Sequence, residues 1–318
     1  MKTIYLCENE RHVRNVYGTS ETAFCKEDVL QEPQHFRNTE YVFSTWGMPQ
    51  FSEEEIKENL PSLKAVFYAA GSVQKFARPF LNCGVKVFSA WAANAVPVAE
   101  YTLAQIILAN KGFFRTMRYT DWTVAIKEAG NFPGNYGVKI GIIGAGMIGK
   151  LVIQKLKEYR LDVLVFDPFL PDERAEELGV TKVGLETVFA ECQVVSNHLA
   201  NNEQTKGMLN GALFERMLPY ATFINTGRGA QVVEDDLISV LKNRPDLTAL
   251  LDVTFPEPPQ ADSAFYTLDN CILTPHIAGS SGNEARRMGE YMKEEYQNFL
   301  ENAPCRYEVT LEMLETMA

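Results

Sequence analysis

Lys139-Ile140-Gly141-Ile142-Ile143-Gly144-Ala145-Gly146-Met147-Ile148-Gly149 is the stretch on which the reading of this chain turns. Five residues of strand character run into a GxGxxG turn, and the turn runs into a helical stretch, Lys150–Tyr159. Gly144 permits the tight turn, Gly146 lets backbone approach a pyrophosphate, and Gly149 lets the helix pack closely on the strand. A helix N-terminus there offers free N–H groups and a partial positive charge to phosphates. The next apolar run, Leu161–Phe166, ends in Asp167, 23 residues after Gly144. A carboxylate near that spacing accepts hydrogen bonds from an adenosine ribose and repels a 2′-phosphate. Pro168-Phe169-Leu170 brings no cation to neutralise such a phosphate, so these residues favour NAD over NADP.

Working outward, the same alternation of short apolar runs and helical stretches continues on both sides. Towards the C-terminus the strands expected are Val138–Ile143, Asp162–Phe166, Gln193–Asn197, Thr222–Asn225, Thr248–Asp252 and Cys271–Thr274. Towards the N-terminus they are Thr3–Cys7, Tyr41–Thr45, Lys64–Tyr68 and Val85–Ser89, with helices over Ser52–Leu60 and Gln74–Leu81. That rhythm is the one of β-α-β units and parallel sheets. A long helix is expected from Pro97 to Arg115, with the proline in its first turn, then a looser segment over Asp121–Tyr136. A polar helix from Gly282 to Leu300 closes the chain.

At 318 residues the chain has room for about two domains. Its 30 Lys+Arg against 41 Asp+Glu give a net charge of −11, and no basic patch interrupts the acidity, so nucleic acid is not an expected partner. The six cysteines, at 7, 25, 83, 192, 271 and 305, form no CxxC and no close pair, which argues against a zinc site and a disulfide framework. The opening MKTIYLCENE lacks the apolar core of a signal peptide. The run from Val87 to Asn110 is interrupted by Asn94, Pro97 and Glu100 and reads as a strand entering a buried helix, not a membrane span. A cytoplasmic protein with no membrane partner and no metal is the expectation.

Only four histidines are present, at 12, 35, 198 and 276, which shortens the list of groups that titrate near neutrality. His276 lies at the carboxyl end of a strand, in Leu273-Thr274-Pro275-His276-Ile277-Ala278-Gly279. Glu257 follows the neighbouring strand, in Asp252-Val253-Thr254-Phe255-Pro256-Glu257-Pro258, and Arg228 follows another, in Asn225-Thr226-Gly227-Arg228-Gly229. Carboxyl ends of strands are where ligands sit in open parallel sheets, so one rim is offered a cation, a carboxylate and an imidazole.

With these elements in this order, the sequence resembles the D-isomer-specific 2-hydroxyacid dehydrogenases over essentially its whole length. The match rests on Gly144–Gly149, Asp167, Asn225–Gly229, Asp252–Pro258 and Thr274–Gly279, with weaker support at Asn94–Glu100 and Ala69–Ser72. The resemblance implies hydride transfer between NAD(H) and C2 of a small D-2-hydroxy acid or 2-keto acid. Arg228 would hold the substrate carboxylate and polarise the keto oxygen. His276 would act as general acid and base, oriented by Glu257, which would favour the imidazolium. Backbone amides near Gly71 and Ser72 would complete the carboxylate site. Asp252 would reach the nicotinamide end of the cofactor, and Met147, Ile148, His198, Thr205, Thr226 and Gly279 would also line the cofactor. His198 reads as packing there, not as a proton donor.

The implied fold is α/β. A doubly wound Rossmann NAD-binding domain, residues 95–284, is inserted into a smaller flavodoxin-like substrate-binding domain, residues 1–94 and 285–318. The weakly charged helix near Val98–Asn110 suits a core or a homodimer interface, and the family favours the homodimer. There are departures from the family pattern. Val73 and Gln74 stand where an Asp is usual, and Ala200 and Asn202 replace a proline and a threonine, whereas Thr205 is kept. These bear on substrate identity and cofactor affinity. Trp46 and Trp91 either shape the pocket or pack a core. Glu257 argues against the formate-oxidising type, which carries Gln there; phosphoglycerate stays open, with no regulatory domain expected after the closing helix. The alternative of another class is an NADH-sensing corepressor on the same fold, against which the absence of long tails and of a basic surface weighs.

Overall fold

In the computed structural model, which describes residues 2–315, the chain divides into two compact units, Met1–Ala95 with Ser280–Ala318, and Val96–Gly279. The second crossing falls earlier than the expected 284/285. Ser280 goes with the first unit, where its amide donates to Asn94 Oδ1 at 2.9 Å.

The first strands along the chain are β1 (Thr3–Leu6), β2 (Ala23–Phe24), β3 (Tyr41–Ser44), β4 (Ala65–Tyr68), β5 (Lys86–Ser89) and β6 (Tyr136–Ile143). They are followed by β7 (Arg160–Phe166), β8 (Thr181–Lys182), β9 (Val194–Asn197), β10 (Thr222–Asn225), β11 (Thr248–Leu251), β12 (Cys271–Leu273) and β13 (Glu308–Val309). One unit holds a sheet ordered β13-β5-β4-β3-β1-β2, parallel except for β13 against β5. Without β13 this is the flavodoxin-like order 2-1-3-4-5. The other holds β12-β11-β10-β9-β6-β7-β8, parallel throughout, which is the Rossmann order with a seventh strand added. Strand order reverses between β6 and β9, and this topology opens a crevice at their carboxyl ends.

Both sheets are covered on both faces, which is why their strands read as apolar runs and not as alternations. Along β4, Val66 and Tyr68 enter one core while Ala65 and Phe67 enter the opposite one. Along β6, Ile140 and Ile142 face one core and Ile143 the other. Phe67 and Phe88 stack with ring centroids 4.9 Å apart.

The expected helix from Pro97 to Arg115 is in fact Trp91–Asn110, with Pro97 inside it. Ala92, Ala93 and Ala95 are strong helix formers, and they carry the helix through the residues before the proline. It ends early because Gly112 takes a left-handed φ of +67°. By length and apolarity this helix could cross a membrane, but half of its most apolar window is buried within the protein. The segment read as loose contains a helix, Trp122–Ala129, started by Asp121, whose side chain accepts from the amides of Thr123 and Val124.

The closing helix, Glu284–Leu300, carries a buried carboxylate, Glu295, only 1% exposed. Its oxygens accept from the amides of Arg306 and Tyr307 and so hold the segment leading to β13. Glu295→Ala leaves those donors unpaired and is expected to cost about 1–3 kcal/mol, read as a lowered urea midpoint.

Candidate active site

Strand register builds the rim of the Val96–Gly279 unit. Ile143, Asn197, Asn225, Leu251 and Leu273 are paired in one row across β6, β9, β10, β11 and β12. The residues that follow them, Gly144, His198, Thr226, Asp252 and Thr274, therefore leave the sheet side by side.

At the end of β6, Gly144 has φ +91°, and a Cβ there would come within 2.8 Å of the His198 carbonyl oxygen. A Cβ on Gly149 would meet the Gly144 carbonyl oxygen at 2.0 Å, so helix and strand touch through it. A Cβ on Gly146 would meet nothing within 4 Å, and no side chain caps the helix Met147–Leu156 that starts there. Open space in front of uncapped N–H groups fits a pyrophosphate. Asp167 Oδ2 accepts from the Ala145 amide and Oδ1 from the Phe169 amide, both at 2.8 Å, so this carboxylate also holds the glycine turn. Each oxygen retains a lone pair for a ribose hydroxyl.

Arg228 follows β10 and is half-buried. Its Nη1 donates to the Gly227 carbonyl at 2.8 Å, and no ion pair engages it among the described residues. Burial pulls its pKa below the usual guanidinium value, and the charge of Glu257 opposes that shift. The turn beneath it is held by a polar network that sequence reasoning missed. Asn197 Nδ2 donates to Asn225 Oδ1 at 3.0 Å and to Gln231 Oε1 at 2.6 Å. Gln231 Oε1 also accepts from the Arg228 amide, and its Nε2 donates to the Leu199 and Ala200 carbonyls. The visible signal was an asparagine closing each of two apolar strands; Gln231, fully buried, gave none.

Asp252, 3% exposed, shapes the loop that carries His276. Its Oδ1 accepts from Thr274 Oγ1 at 2.6 Å and from the Ile277 amide at 2.9 Å, and Oδ2 accepts from the Ala278 amide at 2.9 Å. The Asp252 carbonyl accepts from the His276 amide at 3.0 Å. These bonds hold His276 at φ +53°, a left-handed backbone that costs a non-glycine residue about 1–2 kcal/mol. Its Nδ1 lies 2.6 Å from Glu257 Oε1, with both side chains half-exposed. A carboxylate on Nδ1 fixes the ring and leaves Nε2 to face a ligand.

His198 is buried at the end of β9 with its Nε2 2.9 Å from Ser196 Oγ and its Nδ1 unpartnered. Burial pushes its pKa down to about 3, so it is neutral at physiological pH. Below pH 6.5 the unfolded chain takes up a proton at this residue that the folded chain refuses until about pH 3. Stability from this group is therefore lost as pH falls from neutrality, by about 1.4 kcal/mol per unit. Urea midpoints at pH 7 and pH 5 should differ less in His198→Gln than in the parent.

Thr205 hydroxyl bonds to Ala200 and Asn202 tie the neighbouring loop, and Thr226 Oγ1 lies 3.3 Å from Thr102 Oγ1. Met147 and Ile148 occupy the first turn behind the glycines, and Gly279 ends the unit. In the other unit, the Gly71 carbonyl accepts from Ser89 Oγ at 2.6 Å, and Ser72 is exposed. Among the described residues no His, Cys, Asp and Glu cluster could hold a metal ion.

Residues 105–278 match the family model described as D-isomer specific 2-hydroxyacid dehydrogenase, NAD binding domain. Over 237 residues the chain is 31% identical to a D-3-phosphoglycerate dehydrogenase of Archaeoglobus fulgidus, a match covering 73% of this chain and 44% of that protein. A formate dehydrogenase of Chaetomium thermophilum is 29% identical, covering 92% of this chain and 88% of that one. The chain spans about half the length of the phosphoglycerate dehydrogenases it matches. Of solved structures, apo D-mandelate dehydrogenase from Rhodotorula graminis superposes with a TM-score of 0.79 at 20% identity, covering 96% of each chain, a likeness of fold.

Proposed function

The chain belongs to the D-isomer-specific 2-hydroxyacid dehydrogenases and carries their NAD-binding domain, and from that premise we propose that it reduces a small 2-keto acid to the D-2-hydroxy acid, reversibly. The observation that carries this reading is the 2.6 Å His276–Glu257 pair on the same rim as a half-buried Arg228 that has no ion-pair partner among the described residues. A partly desolvated guanidinium with no carboxylate in contact among the described residues is poised for an anion, and its planar fork suits a carboxylate. In the reduction, Arg228 holds the substrate carboxylate and draws charge from the keto oxygen. When bound, NADH supplies the hydride that C2 accepts. His276 gives its proton to the oxygen as the C=O bond becomes C–O–H, and Glu257, 2.6 Å from Nδ1, holds the imidazole in place. In oxidation His276 takes that proton back. His198, being neutral, packs the cofactor side.

The protein is proposed to act as a cytoplasmic homodimer without nucleic-acid or membrane partners. An exposed apolar run over Met117, Trp122 and Ile126, with Trp122 78% exposed, supports the dimer. A corepressor role is the alternative, and an Arg228→Ala chain that kept full biological activity would favour it.

The cofactor cradle makes its own prediction. Gly146→Ala meets no neighbour in the fold, so it should keep the thermal midpoint and weaken NADH binding. Gly149→Ala should lower the midpoint by overpacking worth about 1–3 kcal/mol. Fluorescence titration with NADH beside thermal unfolding separates the two. The reading as a whole is tested by a panel of 2-keto acids with NADH and with NADPH at fixed pH. Oxidation of NADH by at least one small 2-keto acid is expected, and no oxidation across the panel would refute it.

A further inference from the structure

Glu257 holds the His276 ring, but little in its own surroundings holds Glu257. Phe255, Pro256, Glu257 and Pro258 are all exposed, Phe255 by 68%, so burial does little to fix this stretch. Pro256 and Pro258 have no N–H to give. Thr254 Oγ1 donates to the Pro256 carbonyl at 2.9 Å, a bond inside the stretch itself. Among the described residues, one hydrogen bond ties the backbone of residues 254–258 to another element. In it the Phe255 amide donates to Glu234 Oε1 at 2.7 Å.

Glu234 opens the helix Glu234–Asn243, and nothing in that helix calls for its carboxylate. Val233 stands at the N-cap without a side-chain bond, and Asp235 and Asp236 bring negative charge to the same first turn. No ion pair engages Glu234 among the described residues. Burial raises its pKa above the usual carboxylate value; the Phe255 amide opposes that shift and the charge of Asp235 adds to it. A partly desolvated carboxylate bonded to a loop amide is placed to hold the loop.

The segment leading to Glu234 also touches this loop. A Cβ on Gly229 would lie 2.0 Å from the Thr254 carbonyl carbon and 2.5 Å from the Phe255 nitrogen, so backbone meets backbone. The contact with Gly229 limits approach, and the bond to Glu234 limits departure. The Arg228 amide is held separately, by Gln231 Oε1 at 3.2 Å. All these residues belong to the Val96–Gly279 unit.

We propose that Glu234 is a positioning residue for the general acid. By fixing the Phe255 amide it keeps Glu257 in reach of His276 Nδ1, and so keeps the ring turned for proton transfer. The proposal rests on the reductase reading above and adds to it a residue that acts through Glu257.

Two conservative variants separate reach from charge. Glu234→Gln keeps an oxygen acceptor at the same reach and loses the charge. Glu234→Asp keeps the charge at the helix start and withdraws the oxygen by a methylene. Glu234→Asp should lower kcat for 2-keto acid reduction by about tenfold with KM and NADH affinity nearly unchanged, as expected when an acid–base group is displaced by about 1 Å. Glu234→Gln should stay within about threefold of the parent, because the bond survives in neutral form. Asp235→Asn, which removes a charge from the same turn, should leave kcat unchanged. A larger loss in Gln than in Asp, or an equal loss in Asp235→Asn, would overturn the proposal. So would a joint fall of kcat, NADH affinity and thermal midpoint in Glu234→Asp.

Nuclear magnetic resonance on the same proteins reads the positioning without turnover, since only four histidines contribute ring signals. In Glu234→Asp the Phe255 amide should exchange with solvent about tenfold faster or more. The His276 ring nitrogen signals should move towards those of Glu257→Ala, in which the bond is gone. If these changes appear while no form reduces any 2-keto acid, the positioning role stands and the reductase reading alone falls. An unchanged Phe255 amide with unchanged His276 signals would overturn the proposal whatever the kinetics show.

Discussion

Replacing His276 with asparagine is expected to lower kcat by about 10²–10⁴-fold, the usual contribution of a positioned general acid, while NADH binds as before. Asparagine is the informative substitution because His276 sits at φ +53°, and Asn tolerates that left-handed backbone better than most residues other than glycine. Alanine would mix loss of chemistry with strain in the loop that Asp252 ties down. Asn also keeps a polar group near Glu257 without offering a titratable proton. Kinetics and NADH fluorescence titrations on one preparation make the check. Loss of NADH affinity in step with activity would count against the assigned role, since it would point to a collapsed loop.

Arg228→Met should lower kcat/KM by about 10²–10⁴-fold without lowering the thermal midpoint. The loss follows from removing charge-assisted bonds to the substrate carboxylate and keto oxygen, each worth about 1.5–3 kcal/mol. The retained stability follows from the same burial that pulls the guanidinium's pKa down. Arg228 gives one bond to the Gly227 carbonyl and has no carboxylate in contact among the described residues, so the fold bears a partly desolvated cation that a thioether relieves. Activity falling while the midpoint holds is the mark of a residue kept for function. Arg228→Lys should recover little, because a point charge does not reproduce the fork.

Much of this was legible in the sequence because parallel strands covered on both faces have to be short and apolar. The ten strands expected from apolar runs all have counterparts, from Thr3–Leu6 to Cys271–Leu273. Ala23–Phe24, Thr181–Lys182 and Glu308–Val309 were missed, since two residues carry no periodicity and are defined by the neighbour they pair with. Pro97 misled, because the alanines before it continue the helix through a position where proline is usually a start signal. The glycine turn could be read position by position, because each glycine answers a different steric demand at 144, 146 and 149. The Asn197–Asn225–Gln231 network could not, since its members lie far apart in the chain and meet only when β9 and β10 pair. Asp252 was expected at the nicotinamide end; the structure adds that its carboxylate accepts three hydrogen bonds from the loop holding His276.

The measurement that bears most directly on the central claim is the fate of a label. NADH carrying deuterium at its transferable position is incubated with the most active 2-keto acid of the panel, and the product is resolved by chirality and by mass. Deuterium at C2 of the D-2-hydroxy acid, with none in the L isomer, is the predicted result. An L product, a product without the label, or NADH left unconsumed by every acid would contradict the account.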